Sequence, residues 1–178
     1  MESNSFLDPS KLISQLDITP GMKVVDFGSG SGHYVLTIAQ ILNDSGLVTA
    51  IDVIDSALEV TRAKANSLGL KNLQTIRANL EIPGSTGLPD SSQNLVLVSN
   101  TLSQNEKKLE ILKEATRVTA SKGKIAIVDW QKGTGGPGPE DERRIDKETT
   151  TTLVKEFGLV LEKEIQTDHY HFGLIFKK

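Results

Sequence analysis

"VVDFGSGSGHY", residues 24–34, is the stretch on which the reading of this chain turns. An apolar run ends in an acid, Asp26, and glycines then arrive at every second position: Gly28, Gly30 and Gly32. Residues 23–27 read as a buried strand. The segment that follows, 32–42, reads as a helix with Val35, Leu36, Ala39 and Leu42 at helical spacing. Strand, glycine turn and helix together form the setting in which a nucleotide-type ligand is held. Such glycines can also serve only to let a helix pack closely on a strand. Against that simpler account, Asp52 ends the next apolar run 20 residues after Gly32, where a carboxylate can accept both hydroxyls of a ribose.

The glycine spacing departs from the dinucleotide pattern. G-x-G-x-x-G aims a helix N-terminus at a pyrophosphate, whereas Gly28, Gly30 and Gly32 make G-x-G-x-G behind an acid. A negative side chain is a poor companion for phosphate and a good one for an ammonium or sulfonium group. S-adenosylmethionine is therefore favoured over a nicotinamide dinucleotide.

Short apolar runs alternate with helix-period segments along the rest of the chain, which is the pattern of an α/β fold with a mainly parallel sheet. Further strands are expected at 47–53, 73–78, 94–100 and 124–130, with helices at 8–18, 56–69, 105–120 and 146–157. In the helix at 105–120, Leu109, Leu112, Ala115 and Val118 are expected to face inward. "LVLEKEIQ" and "YHFGLIFKK" close the chain as a hairpin, and "NLEIPGSTGLPDSSQ" (79–93) is a loop. No repeat or second-domain boundary is visible, so residues 1–178 are read as one domain.

Composition bounds the function. With 178 residues, a net charge of −3 and 24% charged residues, the chain suits a soluble domain and lacks a strong electrostatic grip on nucleic acid. It has no cysteine, which excludes a disulfide framework, a zinc ribbon and a thiol nucleophile. Neither a signal peptide nor a run of ~18 apolar residues is present, so a cytoplasmic location is expected.

"VVDFGSGSGHY" resembles the first motif of the class I S-adenosylmethionine-dependent methyltransferases. "VTAIDV" is similar to their second motif, and "ILKEATRVTASKGKIAIVDW" to a later segment. The resemblance covers nearly the whole chain in order, and leans toward small enzymes related to the quinone-biosynthesis methyltransferases. It implies a three-layer Rossmann-like fold with a mostly parallel seven-stranded sheet and an antiparallel C-terminal strand. It further implies that Asp26 lies near the methionine amino group, that Gly28, Ser29, Gly30 and Gly32 offer backbone to the methionine portion, and that Asp52 holds the ribose with Val53 against the adenine. Asn79, followed by Leu80, stands where the family usually has an adenine-facing Asp. An amide can accept from the adenine amino group and donate to the ring nitrogen beside it. Asn94 also departs from a frequent Asp, at a position read as structural. Residues 1–22 resemble the helical segment that covers the cofactor.

The family's strand directions bring one set of side chains to the ligand face. Ser99 and Asn100 end the fourth strand, Asp129 and Trp130 the fifth, and "DHYH" (168–171) opens the last. Ser99 is read as a cofactor contact, and Asn100, Trp130 and Tyr170 as acceptor contacts. His171 and His169, expected on one side of the strand, are candidate bases, with Asp129 as a third or as the group that orients a histidine. No metal is expected, although His-x-His with Asp129 is a conceivable ligand set. The loop "GTGGPGP" (133–139) reads as a lid over the site or as a linker, the lid being favoured because the loop follows the fifth strand on the ligand face.

The fourth strand ends "SNTLSQ", unlike the Asn/Asp-Pro-Pro-Tyr/Phe of many amino-group nucleic-acid methyltransferases. That leaves oxygen, nitrogen or activated carbon nucleophiles, on a small molecule before a protein or RNA. The competing readings are a non-catalytic S-adenosylmethionine-binding sensor or assembly module, and a nicotinamide oxidoreductase.

Overall fold

A computed structural model describes residues 7–178. The sheet has seven strands in the order β3-β2-β1-β4-β5-β7-β6. They are β1 (Lys23–Phe27), β2 (Leu47–Asp52), β3 (Leu73–Arg77), β4 (Gln93–Ser99), β5 (Thr119–Trp130), β6 (Val160–Glu164) and β7 (His171–Lys177). β1 to β5 pair in parallel, and β7 runs antiparallel to both β5 and β6. The expected sheet is therefore the one observed.

Five helices complete the fold: α1 (Pro9–Ile13), α2 (Val35–Leu42), α3 (Asp55–Ser67), α4 (Lys108–Val118) and α5 (Lys147–Glu156). Strand alternation divides the core in two. Val24, Leu95, Leu97, Ala126, Val128 and Ile175 pack with α1, α2 and Leu58 of α3. Val25, Phe27, Val96, Val98, Ile127 and Phe172 pack with α4 and Val154 of α5 on the other face. Sequence parity thus assigns each residue near a strand end to a face.

Local chemistry sets the helix bounds. Asp8 caps α1 by accepting from the Ser10 amide at 2.9 Å. α1 ends at Ile13, short of the expected 18, and α2 starts at Val35 because residues 32–34 stay in the turn. The four threonines at the start of α5 are accommodated because Thr150, Thr151 and Thr152 return their hydroxyls to the carbonyls four residues earlier, at 2.7–2.9 Å. In α4, Leu109 is 38% exposed, contrary to expectation. The inward face is set by Ile111, Leu112, Glu114, Ala115 and Val118. Asn94 proves architectural, since its side chain accepts from the Lys23 amide at the start of β1. Among the described residues no helix is long and apolar enough to cross a membrane.

Candidate active site

The glycine turn lies between β1 and α2, at the C-terminal ends of the parallel strands. Its three glycines have φ of +80°, +52° and +88°, a left-handed region costly for residues with a Cβ. A Cβ on Gly28 would also overlap the Thr101 hydroxyl. That hydroxyl cannot easily move, because it donates to the carbonyls of Phe27 (2.7 Å) and Ser99 (3.0 Å). Asp52 braces the same turn, its two oxygens accepting from the amides of Gly30 (2.8 Å) and Ile54 (2.9 Å). The second acid thus has a structural duty that its spacing did not reveal.

Asp26 behaves differently. It is 1% exposed, and neither carboxyl oxygen has a hydrogen-bond partner. Burial, with a smaller contribution from the Asp52 charge, pushes its pKa up to about 7. A buried carboxyl with no donor is costly unless a cation arrives. This arrangement fits the ammonium of S-adenosylmethionine and opposes a phosphate. Ser29 adds a buried hydroxyl without a partner in the same turn.

Around the turn, Val53 and Ile54 are more than half exposed, Leu80 is buried, and Asn79 is exposed with its Oδ1 accepting from the Glu81 amide at 2.9 Å. Ser99 exchanges a 3.3 Å hydrogen bond with the Tyr34 hydroxyl. Burial and the nearby charges of Asp26 and Asp168 raise the Tyr34 pKa, although its bond to Ser99 opposes the shift. Asn100 adopts a left-handed φ of +52°, and its Oδ1 is buried without a partner.

The fifth-strand acid is not where a base would be. Asp129 lies on the α4/α5 face, fully buried, and accepts from the amides of Leu102 (2.8 Å), Ser103 (3.4 Å) and Trp130 (2.8 Å). It holds the 3-10 turn Leu102–Gln104 and orients no histidine. His171 and Trp130 pair across β7 and β5 on the opposite face, with ring centroids 4.0 Å apart. The partner of His171 is Asp168, whose Oδ1 lies 2.7 Å from Nδ1. His169 does not share a side with it: it is exposed in the turn before β7, its ring edge-on to Tyr170. The conceivable His-x-His and Asp129 metal set is therefore dispersed.

The loop 133–139 is pinned rather than free. Arg144, 6% exposed, donates to Thr134 Oγ1 (2.9 Å) and to the carbonyls of Gly135 (2.9 Å), Pro137 (2.7 Å) and Pro139 (2.9 Å). Its guanidinium stands 5.4 Å from the Trp130 ring. Gly138 lies so close to that ring that a Cβ would come within 2.6 Å of it, and Gly136 approaches Tyr170 in the same way. Trp130 and Tyr170 are thus packing surfaces for the loop. In this structure the loop lies as a wall against both rings.

Sequence reasoning gave no role to Tyr34, Thr101 or Arg144, and placed Asp168 on the ligand face without its partner. Tyr34 and Asp168 stood within or beside quoted motifs and could have been found there. Nothing local marks Thr101 or Arg144, whose partners are brought to them by the fold.

Comparison with known proteins agrees with the fold. The profile of a family described as "Methyltransferase domain" matches residues 18–170. The chain is 27% identical to a SAM-dependent methyltransferase from Aquifex aeolicus of known structure, with a TM-score of 0.84 over 97% of this chain and 90% of that one. It is 26% identical over 152 residues to the ubiquinone/menaquinone biosynthesis C-methyltransferase UbiE of Shewanella oneidensis. That match takes in 85% of this chain and 58% of the relative, so the chain spans little more than half the length of the curated relatives it matches. The [4+2]-cyclase SpnF shares the fold at a TM-score of 0.80 and 14% identity.

Proposed function

The chain belongs to the S-adenosylmethionine-dependent methyltransferase family, and on that premise we propose that it transfers a methyl group to an oxygen, nitrogen or activated carbon of a small molecule. The observation that carries the reading is Asp26: a fully buried carboxyl without a donor, beside a turn whose glycines Asp52 braces. A fold of this kind hosts other reactions, so it is the chemistry of this corner that favours a cationic ligand.

In this reading Asp26 receives the methionine ammonium, directly or through water. Gly28, Ser29, Gly30 and Gly32 line the methionine portion. Asp52 turns its remaining lone pairs to the ribose hydroxyls. Val53 and Leu80 cover the adenine, while Asn79 meets its edge with its amide NH2 and the second lone pair of Oδ1. Ser99 faces the same pocket with Tyr34. When bound, the cofactor supplies an electrophilic methyl group on a sulfonium, so the chain need only align the acceptor and remove a proton. His171 is the base we favour, since it alone of the candidates is buried on the ligand face with a ring nitrogen free. Asn100 offers an acceptor contact through Oδ1, while Trp130 and Tyr170 with the loop 133–139 form the wall that excludes water. The likeness to UbiE, a C-methyltransferase of quinone biosynthesis, supports a carbon among the acceptors.

Calorimetric titration with S-adenosylmethionine, S-adenosylhomocysteine and NAD tests the proposal. Micromolar binding of the two sulfur ligands without NAD supports it. Binding of NAD alone, or of none of the three, would overturn it.

A further inference from the structure

The turn that precedes β7 builds more than a hairpin. Asp168 Oδ1 accepts from the amides of Tyr170 (2.8 Å) and His171 (3.0 Å) and meets the His171 ring at Nδ1 (2.7 Å). An oxygen that takes two amide donors carries no hydrogen of its own, so the ring nitrogen facing it must carry one. Nδ1–H therefore donates. In the neutral ring the lone pair then falls on Nε2, and that atom is buried without any hydrogen-bond partner. His171 is only 6% exposed, and Trp130 lies against its ring, so the imidazole has little freedom to flip. Thr167 secures the backbone of the same residue, its hydroxyl donating to the His171 carbonyl at 2.6 Å.

We propose that Asp168 is the positioning residue of a built-in base: it fixes the Nδ1–H tautomer of His171, so that Nε2 is the site that takes the acceptor's proton. This deepens the methyltransferase reading and rests on it for its purpose, though the tautomer stands on its own. It also restricts the acceptor class to molecules whose nucleophilic atom carries a removable hydrogen: a hydroxyl, an N–H or an acidified ring C–H. The bond from that atom to hydrogen breaks and the proton goes to Nε2. The freed electron pair forms the bond to the methyl carbon as the carbon–sulfur bond breaks toward sulfur. The imidazolium left behind is held by the Asp168 carboxylate, an arrangement that stabilises the charged ring.

The titratable and charged groups around His171 come from three elements. Asp168 lies in its own turn. Tyr34, at the start of α2, lies within electrostatic reach of Asp168. Arg144 stands over the Trp130 ring of β5, on which His171 packs. Among the described residues Asp168 is the one group in hydrogen-bond contact with the ring, so its removal should free the tautomer.

Nitrogen-15 correlation spectra of the histidine rings in the full chain test this without knowledge of the acceptor. The chain has three histidines, His33, His169 and His171, and the His171 signals are assigned by their loss in His171→Gln. At pH 8, ligand-free His171 should show a protonated Nδ1 and an unprotonated Nε2. Asp168→Ala, which removes both oxygens, should release the ring to a mixture of Nδ1–H and Nε2–H forms, and Asp168→Glu should recover part of the Nδ1–H form. A protonated Nε2 in the parent protein at pH 8 would overturn the proposal whether or not the variants fold. So would a ring that stays wholly in the Nδ1–H form in a folded Asp168→Ala. Failure of the parent protein to bind S-adenosylmethionine in the same samples would count against the methyltransferase reading alone, because the tautomer is read without cofactor.

Discussion

Asp26 and Asp129 are the same residue in nearly the same place: each is fully buried near the C-terminal end of a parallel strand, and burial raises the pKa of each. Their surroundings are opposite. Asp129 faces α4 and α5 and satisfies three backbone amides, while Asp26 faces α2 and satisfies none. A buried carboxylate that ties amides is an architectural bracket. One that ties nothing is a cost the fold carries for a ligand. Strand parity makes the difference: Asp26 follows Val24 onto one face, and Asp129 follows Ile127 onto the other.

The sharpest way to break this comparison is to make the same substitution at both sites and measure urea denaturation without cofactor at pH 8. For Asp26 the folded pKa of about 7 exceeds the unfolded 3.8. The unfolded chain therefore binds fewer protons between these values, and stability falls as pH rises from about 4 to 7. The charge costs on the order of 4 kcal/mol above pH 7. Asp26→Asn removes it and leaves a buried amide worth about 1–3 kcal/mol of penalty, for a net stabilisation of about 1–3 kcal/mol. Asp129→Asn should instead destabilise by about 2 kcal/mol, because its NH2 would meet amide donors. Two changes of the same sign would end the distinction.

Cofactor affinity sharpens the same point. If an ammonium holds Asp26 ionised, binding must expel its proton below pH 7. The dissociation constant for S-adenosylmethionine should then rise about fivefold between pH 7 and pH 6, and Asp26→Asn should flatten that slope. Titration at the two values decides it. Asp52→Ala should weaken binding by about 1–3 kcal/mol through the lost ribose contacts and the unbraced Gly30, as read by calorimetry; unchanged affinity would move the site elsewhere.

The smaller effects concern the wall. Arg144→Ala should cost about 1–2 kcal/mol and speed amide exchange in 133–139 well above that of the β5 core, as hydrogen-exchange mass spectrometry would show. Equal protection would mean that contacts with Trp130 and Tyr170 alone hold the loop. Leu109→Ala, at a site sequence spacing placed inside, should shift stability by less than about 0.5 kcal/mol; a larger loss in thermal denaturation would return that residue to the core.

What the sequence determined by itself was everything carried by local period and turn chemistry. The glycines at 28, 30 and 32 mark a turn, the helix-period segments mark helices, and apolar runs between them mark the strands of the sheet. The ligand class followed from one acid standing in front of that turn. Only the tertiary structure decided which polar groups are spent and which are free. Asp52 is shared with Gly30, Asp129 is consumed by Leu102 and Ser103, and Arg144 is spent on carbonyls five to nine residues back. Spacing along a chain records which residues lie on one face. A hydrogen bond depends on distances of a few tenths of an ångström between segments that the fold brings together. That is why Asp168, three residues from His171, was visible in the sequence as a neighbour and became its partner only when the turn closed.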